Sequence, residues 1–364
     1  MAQRRGKQES LPPCYAMVFP GLEAIAEEEI AADLHGDVKR SSGEIVVFRV
    51  PEIDAALLQL RTVEDVFLLA WGTDKLSRRA TDLERIRRWT SHDADWNRLL
   101  SIHHTIRPKP KGKPTYRLVT QMTGEHGYRR TDARKALAEG LSGKLPASWR
   151  HAEEDAAVEI WLTIIGGTAV CGVRLSDRTM RHRKYKLEHL PASLRPTVAA
   201  AMVHLADIKP GEVVLDPMCG AGTILAEALA WARHCNVRLG RVVGGDIEKS
   251  ALRAAEPNLR RLGEVTLTRW DARALPLADQ SVDRIVCNPP FGKQLASPEE
   301  IGPLYGDALA DWNRVLRPGG RAVLLVSDRA ALREAAERVN WRFLRQLRVR
   351  VLGQPAFLSV WRKD

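Results

Sequence analysis

Val213-Val214-Leu215-Asp216-Pro217-Met218-Cys219-Gly220-Ala221-Gly222-Thr223 joins a short apolar run to an acidic turn, two glycines and the start of a helix. Val213–Leu215 reads as a buried strand, Gly220 and Gly222 allow a ligand to approach the backbone closely, and Thr223 opens the helix pattern Thr223–Ala232. The same alternation continues outward. Val242–Gly245, Val265–Leu267, Arg284–Cys287 and Ala322–Val326 read as further buried strands, with a second helix pattern at Lys249–Leu262. Strands alternating with helices at this spacing predict an α/β fold, a doubly wound and mainly parallel sheet, closed by the antiparallel hairpin Arg345–Val351 and Ala356–Arg362. A helix at Leu194–Ala206 precedes it.

In such a sheet the ligand lies beyond the carboxyl ends of the strands, so the residues that follow each strand carry the chemistry. After the first come Asp216 and Pro217, then the turn with Gly220, Gly222 and Thr223. After the second come Asp246 and Ile247, and after the third Asp271 and Ala272. A redox-dinucleotide fingerprint would place a third glycine where Leu225 stands, which disfavours that class. A carboxylate at Asp246 can accept hydrogen bonds from both hydroxyls of an adenosyl ribose, and one at Asp271 can accept the adenine amine. Each aspartate alone reads as readily as a helix cap. Three at strand ends beside a glycine turn read as a pocket for S-adenosylmethionine.

The fourth strand ends in Cys287-Asn288-Pro289-Pro290-Phe291-Gly292. An exocyclic amine is a weak nucleophile because its lone pair is delocalised into the ring. The Asn288 amide oxygen and the Pro289 carbonyl can accept its two N–H bonds, return the lone pair to nitrogen and stabilise the developing positive charge. The prolines hold those acceptors in place in advance, and Phe291 offers a face for base stacking. Asn288, Pro289 and Phe291 are therefore the catalytic candidates, with Asn288 also beside the cofactor.

The remaining chain is larger than this domain needs. At 364 residues and 45% apolar content it has room for two or three domains. The longest nearly apolar stretch, Trp161–Val173, is broken by Gly166-Gly167 and is shorter than the roughly 20 residues of a membrane span. Arg4, Arg5 and Lys7 open the chain without the apolar core of a secretory signal, so a cytoplasmic protein is expected. Five widely spaced cysteines with no Cys-x-x-Cys predict neither a disulfide framework nor a metal site.

Strand patterns at Tyr15–Phe19, Glu44–Val50 and Asp65–Ala70 alternate with helix patterns at Leu22–Leu34 and Glu52–Leu60, predicting a small α+β sandwich. A second unit follows. It has helices near Thr81–Trp89, Asp93–Ile102 and Thr131–Leu141, a strand at Thr115–Thr120, and a hairpin of Val158–Ile165 with Thr168–Leu175.

The formal charge is +11, and residues 101–200 hold 18 Lys and Arg against 9 Asp and Glu, so the excess is concentrated in the middle of the chain. That is the footprint of a polyanion-docking surface. Its candidate RNA contacts are Arg107, Lys109, Lys111 and Lys113 on a Pro/Lys loop, Arg129 and Arg130 before a basic helix, and Arg181, Arg183, Lys184 and Lys186 in a cationic linker.

With these motifs in hand, the chain resembles the THUMP-containing tRNA guanine-N2 methyltransferases, class I enzymes with an Asn-Pro-Pro-Phe/Tyr signature. Asp216–Thr223 and Asn288–Gly292 match the catalytic motifs. Phe19-Pro20-Gly21-Leu22-Glu23 resembles the opening of the ferredoxin-like domain, and Tyr116-Arg117 through Tyr128-Arg129 with the Gly166-Gly167 hairpin resembles the THUMP domain. The linker His182-Arg183-Lys184-Tyr185-Lys186 departs from the Arg-Gly-Tyr-Arg-like stretch of relatives but stays cationic.

The resemblance implies a ferredoxin-like domain at 1–70, a THUMP domain at 71–177, a basic linker at 178–195 and a Rossmann-like methyltransferase domain at 196–364. It further implies a monomer that needs no metal, recognises the acceptor stem and 3′ end of tRNA, and methylates the N2 amine of a stem guanine, at position six. The same amine chemistry leaves ribosomal RNA, adenine N6 of DNA and a protein glutamine amide as alternative substrates, and a decayed, non-catalytic RNA-binding module as another class. The intact Asn288, Asp246 and glycine turn argue against the last, and the basic middle region against the glutamine amide.

Overall fold

The computed structural model describes residues 11–108, 112, 114–191, 193–290, 298–351 and 353–364. Arg4, Arg5, Lys7, Lys109, Lys111, Lys113, Phe291 and Gly292 therefore lie outside the described residues. The chain divides into two compact units. One takes the described residues up to Val18 together with Ala26–Met180, the other Phe19–Ile25 and Arg181–Asp364.

The first unit is built on an eight-stranded sheet. Its strands are β1 (Cys14–Val18), β2 (Asp37–Ser42), β3 (Ile45–Arg49), β4 (Val63–Thr73), β5 (Thr115–Thr123), β6 (Arg150–His151), β7 (Val158–Ile165) and β8 (Thr168–Arg174), in the order β2-β3-β1-β4-β8-β7-β5-β6. Helices α1 (Glu23–Leu34), α2 (Thr81–Arg88), α3 (Trp96–Ile106) and α4 (Arg130–Gly140) are interspersed.

The boundary expected at residue 70 falls inside β4, which pairs with β1 on one side and β8 on the other. At the middle of this sheet Arg174 donates to buried Asp65 at 2.8 Å and to Glu159 at 2.8 Å, with its guanidinium 5.3 Å from the Trp161 ring. Three strands are thus tied by one buried charge network, which a hydrogen-bonded carboxylate tolerates and an unpaired one would not.

One local expectation differs from the outcome, and one strand was not expected. Glu52–Leu60 forms only a single 3-10 turn at Ala55–Gln59, capped by Asp54, because few of its residues are buried and one turn satisfies them. Strand β2 carries no apolar run; its residues are mostly exposed, as an edge strand with one neighbour permits.

The second unit follows the α/β expectation closely. Strands β9 (Val213–Asp216), β10 (Arg241–Asp246), β11 (Thr266–Arg269), β12 (Val282–Cys287), β13 (Leu316–Val326), β14 (Trp341–Val351) and β15 (Gln354–Lys363) lie in the order β11-β10-β9-β12-β13-β15-β14. The first five are mutually parallel, and the last two form the antiparallel hairpin. Helices α5 (Pro196–Ala206), α6 (Thr223–His234), α7 (Lys249–Leu259), α8 (Pro298–Val315) and α9 (Arg329–Arg338) cover it.

Trp312, Leu309, Leu324, Ile285 and Trp361 build the core on one side of this sheet, while Leu225, Leu259 and Val242 build a second cluster. Strand order reverses between β9 and β12, and this switch point is where a parallel sheet opens a crevice at its carboxyl edge. Asp216 ends one of those strands and Asn288 follows the other.

The stretch expected as a linker is part of this unit. Tyr185 Oη donates to Glu227 on α6 at 2.6 Å, Arg183 Nε reaches the same carboxylate at 3.2 Å, and the backbone N–H groups of Leu187 and Glu188 donate to Asn258 on α7 at 2.7 and 2.9 Å. It is a strap laid over α6 and α7.

Candidate active site

The turn after β9 is held by three contacts from the two neighbouring strand ends, those of β10 and β11. Cys219 N–H donates to Gly245 O at 2.8 Å, Gly220 N–H to Asp246 Oδ2 at 2.9 Å, and the indole of Trp270 to Pro217 O at 2.9 Å. Gly220 has φ +51 and Gly222 φ +74, left-handed values that glycine adopts without strain. A Cβ on Gly222 would stand 3.0 Å from Leu259 Cδ1, whereas one on Gly220 would meet nothing within 4 Å. The loop is therefore packed against α7 at Gly222 and open at Gly220, on the side a ligand can approach. Gly222 caps α6, whose first residue, Thr223, is buried.

Asp216 and Asp246 meet here in opposite environments. Asp216 is 1% exposed, its Oδ1 accepts Met218 N–H at 3.2 Å, and burial pushes its carboxyl up to about 8, with the charge of Asp246 adding in the same direction. Burial likewise raises the neighbouring Cys287 thiol. Asp246 lies nearer the surface and accepts Gly220 N–H on one oxygen and Glu248 N–H on the other, both at 2.9 Å. A carboxylate has about four lone-pair sites. Asp246 therefore keeps acceptor capacity for a diol. Ile247 beside it is 53% exposed, an unusual state for a large apolar side chain and a ready face for a flat heterocycle.

Asp271 is less available. Its two oxygens are gripped by Arg273 Nε and Nη2 at distances down to 2.6 Å, and this pairing holds its carboxyl below the usual range. The following Ala272 is buried, and its carbonyl accepts the Trp312 indole N–H at 2.9 Å.

At the tip of β12, Pro289 is buried and Asn288 half-buried. The Asn288 Oδ1 atom is itself buried and has no hydrogen-bond partner among the described residues. Leaving a buried amide oxygen unsatisfied costs about 1–3 kcal/mol, so a donor from beyond the described residues is expected. Together, an open glycine turn, a carboxylate with acceptor capacity to spare, an exposed apolar face and an acceptor without a partner among the described residues fit an adenosyl cofactor with an amine substrate beside it. Among the described residues no cluster of His, Cys, Asp or Glu is suited to hold a metal.

The basic candidates are distributed unevenly. Arg129 and Arg130 are exposed at the start of α4, and Lys184 is exposed on the strap. Arg107 donates to Leu175 O at 2.6 Å and reaches Asp177 at 3.2 Å. Arg183 is tied to Glu227, Arg181 is half-buried, and Lys186 donates to Leu194 O at 2.5 Å, its amine lowered by burial to about 8. The structure thus turns Arg183 and Lys186 inward. Sequence reading missed Trp270 and Asn258; the latter is 1% exposed and also donates to Ala221 O of the glycine turn at 2.9 Å.

Residues 183–354 match the family described as RMKL-like, methyltransferase domain. A protein of Thermus thermophilus named tRNA (guanine(6)-N2)-methyltransferase is 32% identical over 232 residues, 63% of this chain and 67% of that protein. A mouse protein named tRNA (guanine(6)-N(2))-methyltransferase THUMP3 is 32% identical over 222 residues, 56% of this chain and 43% of the mouse protein. The chain thus spans two thirds of one relative and less than half of the other. The crystal structure of TrmN from Thermus thermophilus superposes with a TM-score of 0.74 at 27% identity, covering 97% of this chain and 99% of that one.

Proposed function

Because this chain belongs to the tRNA guanine-N2 methyltransferase family, we propose that it methylates the exocyclic N2 of a guanine in the acceptor stem of tRNA, at position six. Its methyl donor is S-adenosylmethionine. The observation that carries the reading is the buried Asn288 Oδ1, without a partner among the described residues, at the switch point of a parallel sheet beside an open glycine turn.

In this reading Asp246 accepts the ribose hydroxyls, and Ile247 covers one face of the adenine. Asp271 meets the adenine amine as far as Arg273 leaves it free, and Asp216, Pro217, Gly220, Gly222, Thr223 and Ala272 shape the wall. The bound sulfonium supplies an activated methyl, so that transfer forms an N–C bond, breaks an S–C bond and releases one amine proton to water. Asn288 Oδ1 and Pro289 O accept the two N–H bonds of the guanine amine, which localises its lone pair and stabilises the charge that grows on nitrogen. The two prolines keep both acceptors fixed before the base arrives, which limits reorganisation. Phe291 supplies the stacking face.

A stem guanine is paired and stacked, so it must be extruded into this site, at a cost of a few kcal/mol. Contacts remote from the chemistry offset that cost. We assign them to the first unit, where the ferredoxin-like domain expected at 1–70 and the THUMP domain expected at 71–177 share β4, and to cations of the strap on the second unit. The exposed Arg129, Arg130 and Lys184, with Arg107, Lys109, Lys111, Lys113 and Arg181, face phosphate. Arg183 and Lys186 hold the strap of the expected linker, 178–195, against the methyltransferase domain, 196–364. The protein acts as a monomer in the cytoplasm. Among the described residues no helix is long and apolar enough to cross a membrane.

The test is incubation with labelled S-adenosylmethionine and unmodified tRNA, followed by nucleoside mapping. Label in N2-methylguanosine of the acceptor stem is expected. Label confined to ribosomal RNA, to adenine or to a protein glutamine would overturn the assignment.

A further inference from the structure

The carboxyl edge of the second sheet continues past the catalytic strand. Cys287 pairs with Leu324, so the row just beyond it is that of Leu325 and Val326. Val326 pairs with Phe357 on β15, and Phe357 with Arg348 on β14. Three inter-strand steps of about 4.8 Å put Arg348 roughly 14 Å along this edge from the tip that carries Asn288.

A groove of about 590 Å³ opens at that end, lined by Arg329, Ala330, Gln346, Arg348 and Phe357. Arg329 and Arg348 are exposed, and Phe357 is half-buried as the floor, with the Arg329 guanidinium 5.7 Å from its ring. Gln346 is anchored through its amide nitrogen on buried Ser359 at 2.8 Å.

The groove contains no carboxylate among its lining residues. Asp328, adjacent in sequence, spends its Oδ1 on Ala331 N–H at the start of α9. Several arginines elsewhere in this unit are paired with acids, as Arg273 is with Asp271, Arg314 with Asp311 and Arg317 with Asp283. Two guanidiniums converging on one concavity without an anion are a site for an anion, and the guanidinium fork suits phosphate.

We propose that Arg329 and Arg348 bind the phosphodiester backbone of the RNA strand that flanks the extruded nucleotide. The inference rests on the RNA-methylating function argued above. It adds a second anchor on the catalytic unit itself, so that the strand is held on the chemistry's own side while the target base leaves the stack.

The test uses the full chain and an acceptor-stem RNA hairpin, with binding followed by fluorescence anisotropy across a salt series. R348E, R348Q and R329E are compared with the wild type, and cofactor affinity is measured by calorimetry. RNA affinity is expected to fall about tenfold or more in the charge reversals and less in R348Q. The slope of log affinity against log salt should be shallower by about one per arginine removed, with cofactor affinity unchanged.

Unchanged RNA affinity and slope in variants that still bind cofactor would overturn the groove while leaving the enzyme assignment intact. A wild type that binds the hairpin through these arginines yet methylates no RNA would overturn the assignment and keep the groove. A wild type that fails to bind any RNA would overturn both.

Discussion

The Gly220 N–H donates to Asp246 Oδ2 at 2.9 Å, so the glycine turn after β9 and the acid that ends β10 form one rigid unit before any ligand is present. The acid positions the loop and, in the function proposed above, also receives the ribose. Asp246→Ala is expected to weaken S-adenosylmethionine binding by about 100-fold, roughly 2.7 kcal/mol, and Asp246→Asn by less, because an amide oxygen can still accept. Calorimetry checks this, and wild-type affinity in the alanine variant would contradict it.

Asp216 makes stability depend on pH. Its carboxyl is raised from 3.8 to about 8 in the fold, chiefly by burial. Between those values the native state holds a proton that the unfolded chain has released, so the contribution to stability is full below 3.8 and is lost as pH rises toward 8. Between pH 6.5 and 8 the unfolding free energy should fall by about 1 kcal/mol per pH unit. In Asp216→Asn that slope should be absent. Urea titrations at three pH values decide it, a slope shared by both proteins being the contrary result.

Asn258 fastens the strap to the cofactor loop, accepting from Leu187 and Glu188 and donating to Ala221 O and Glu188 O. Asn258→Ala removes the partner of the buried Ala221 carbonyl and of the part-buried groups of Leu187 and Glu188, and is expected to destabilise the second unit by about 1–3 kcal/mol. It should also expose the strap to limited proteolysis between Arg183 and Lys186. A variant as resistant as the wild type would mean that the strap is held by Glu227 alone.

What could be read from the sequence divides along physical lines. Strands β9, β10, β12 and the end of β13, with the residues that follow them, were legible because a strand buried on both faces is a continuous apolar run. Asp216, Gly220, Gly222, Asp246 and Asn288 were singled out in that way.

Trp270 and Asn258 were not legible, since their roles consist of hydrogen bonds to residues 53 and 37 positions away. A lone indole or amide gives no local sign of such a partner. The strap was legible as charge but not as structure, because Arg183 and Lys186 look like any surface cations until Glu227 and the Leu194 carbonyl are placed beside them. The charge on Asp271 was seen and its neutralisation by Arg273, two residues away, was not weighed.

The central claim is that Asn288 grips the amine, and the orphaned Oδ1 makes it directly testable. The decisive measurement is single-turnover methylation of unmodified tRNA by Asn288→Ala, with cofactor affinity measured on the same preparation. The account predicts a rate reduced by about 100-fold to 1,000-fold, the typical effect of removing one preorganised polar group from a transition state, with cofactor affinity within about twofold of wild type. A rate near that of the wild type, with the cofactor bound normally, would contradict it.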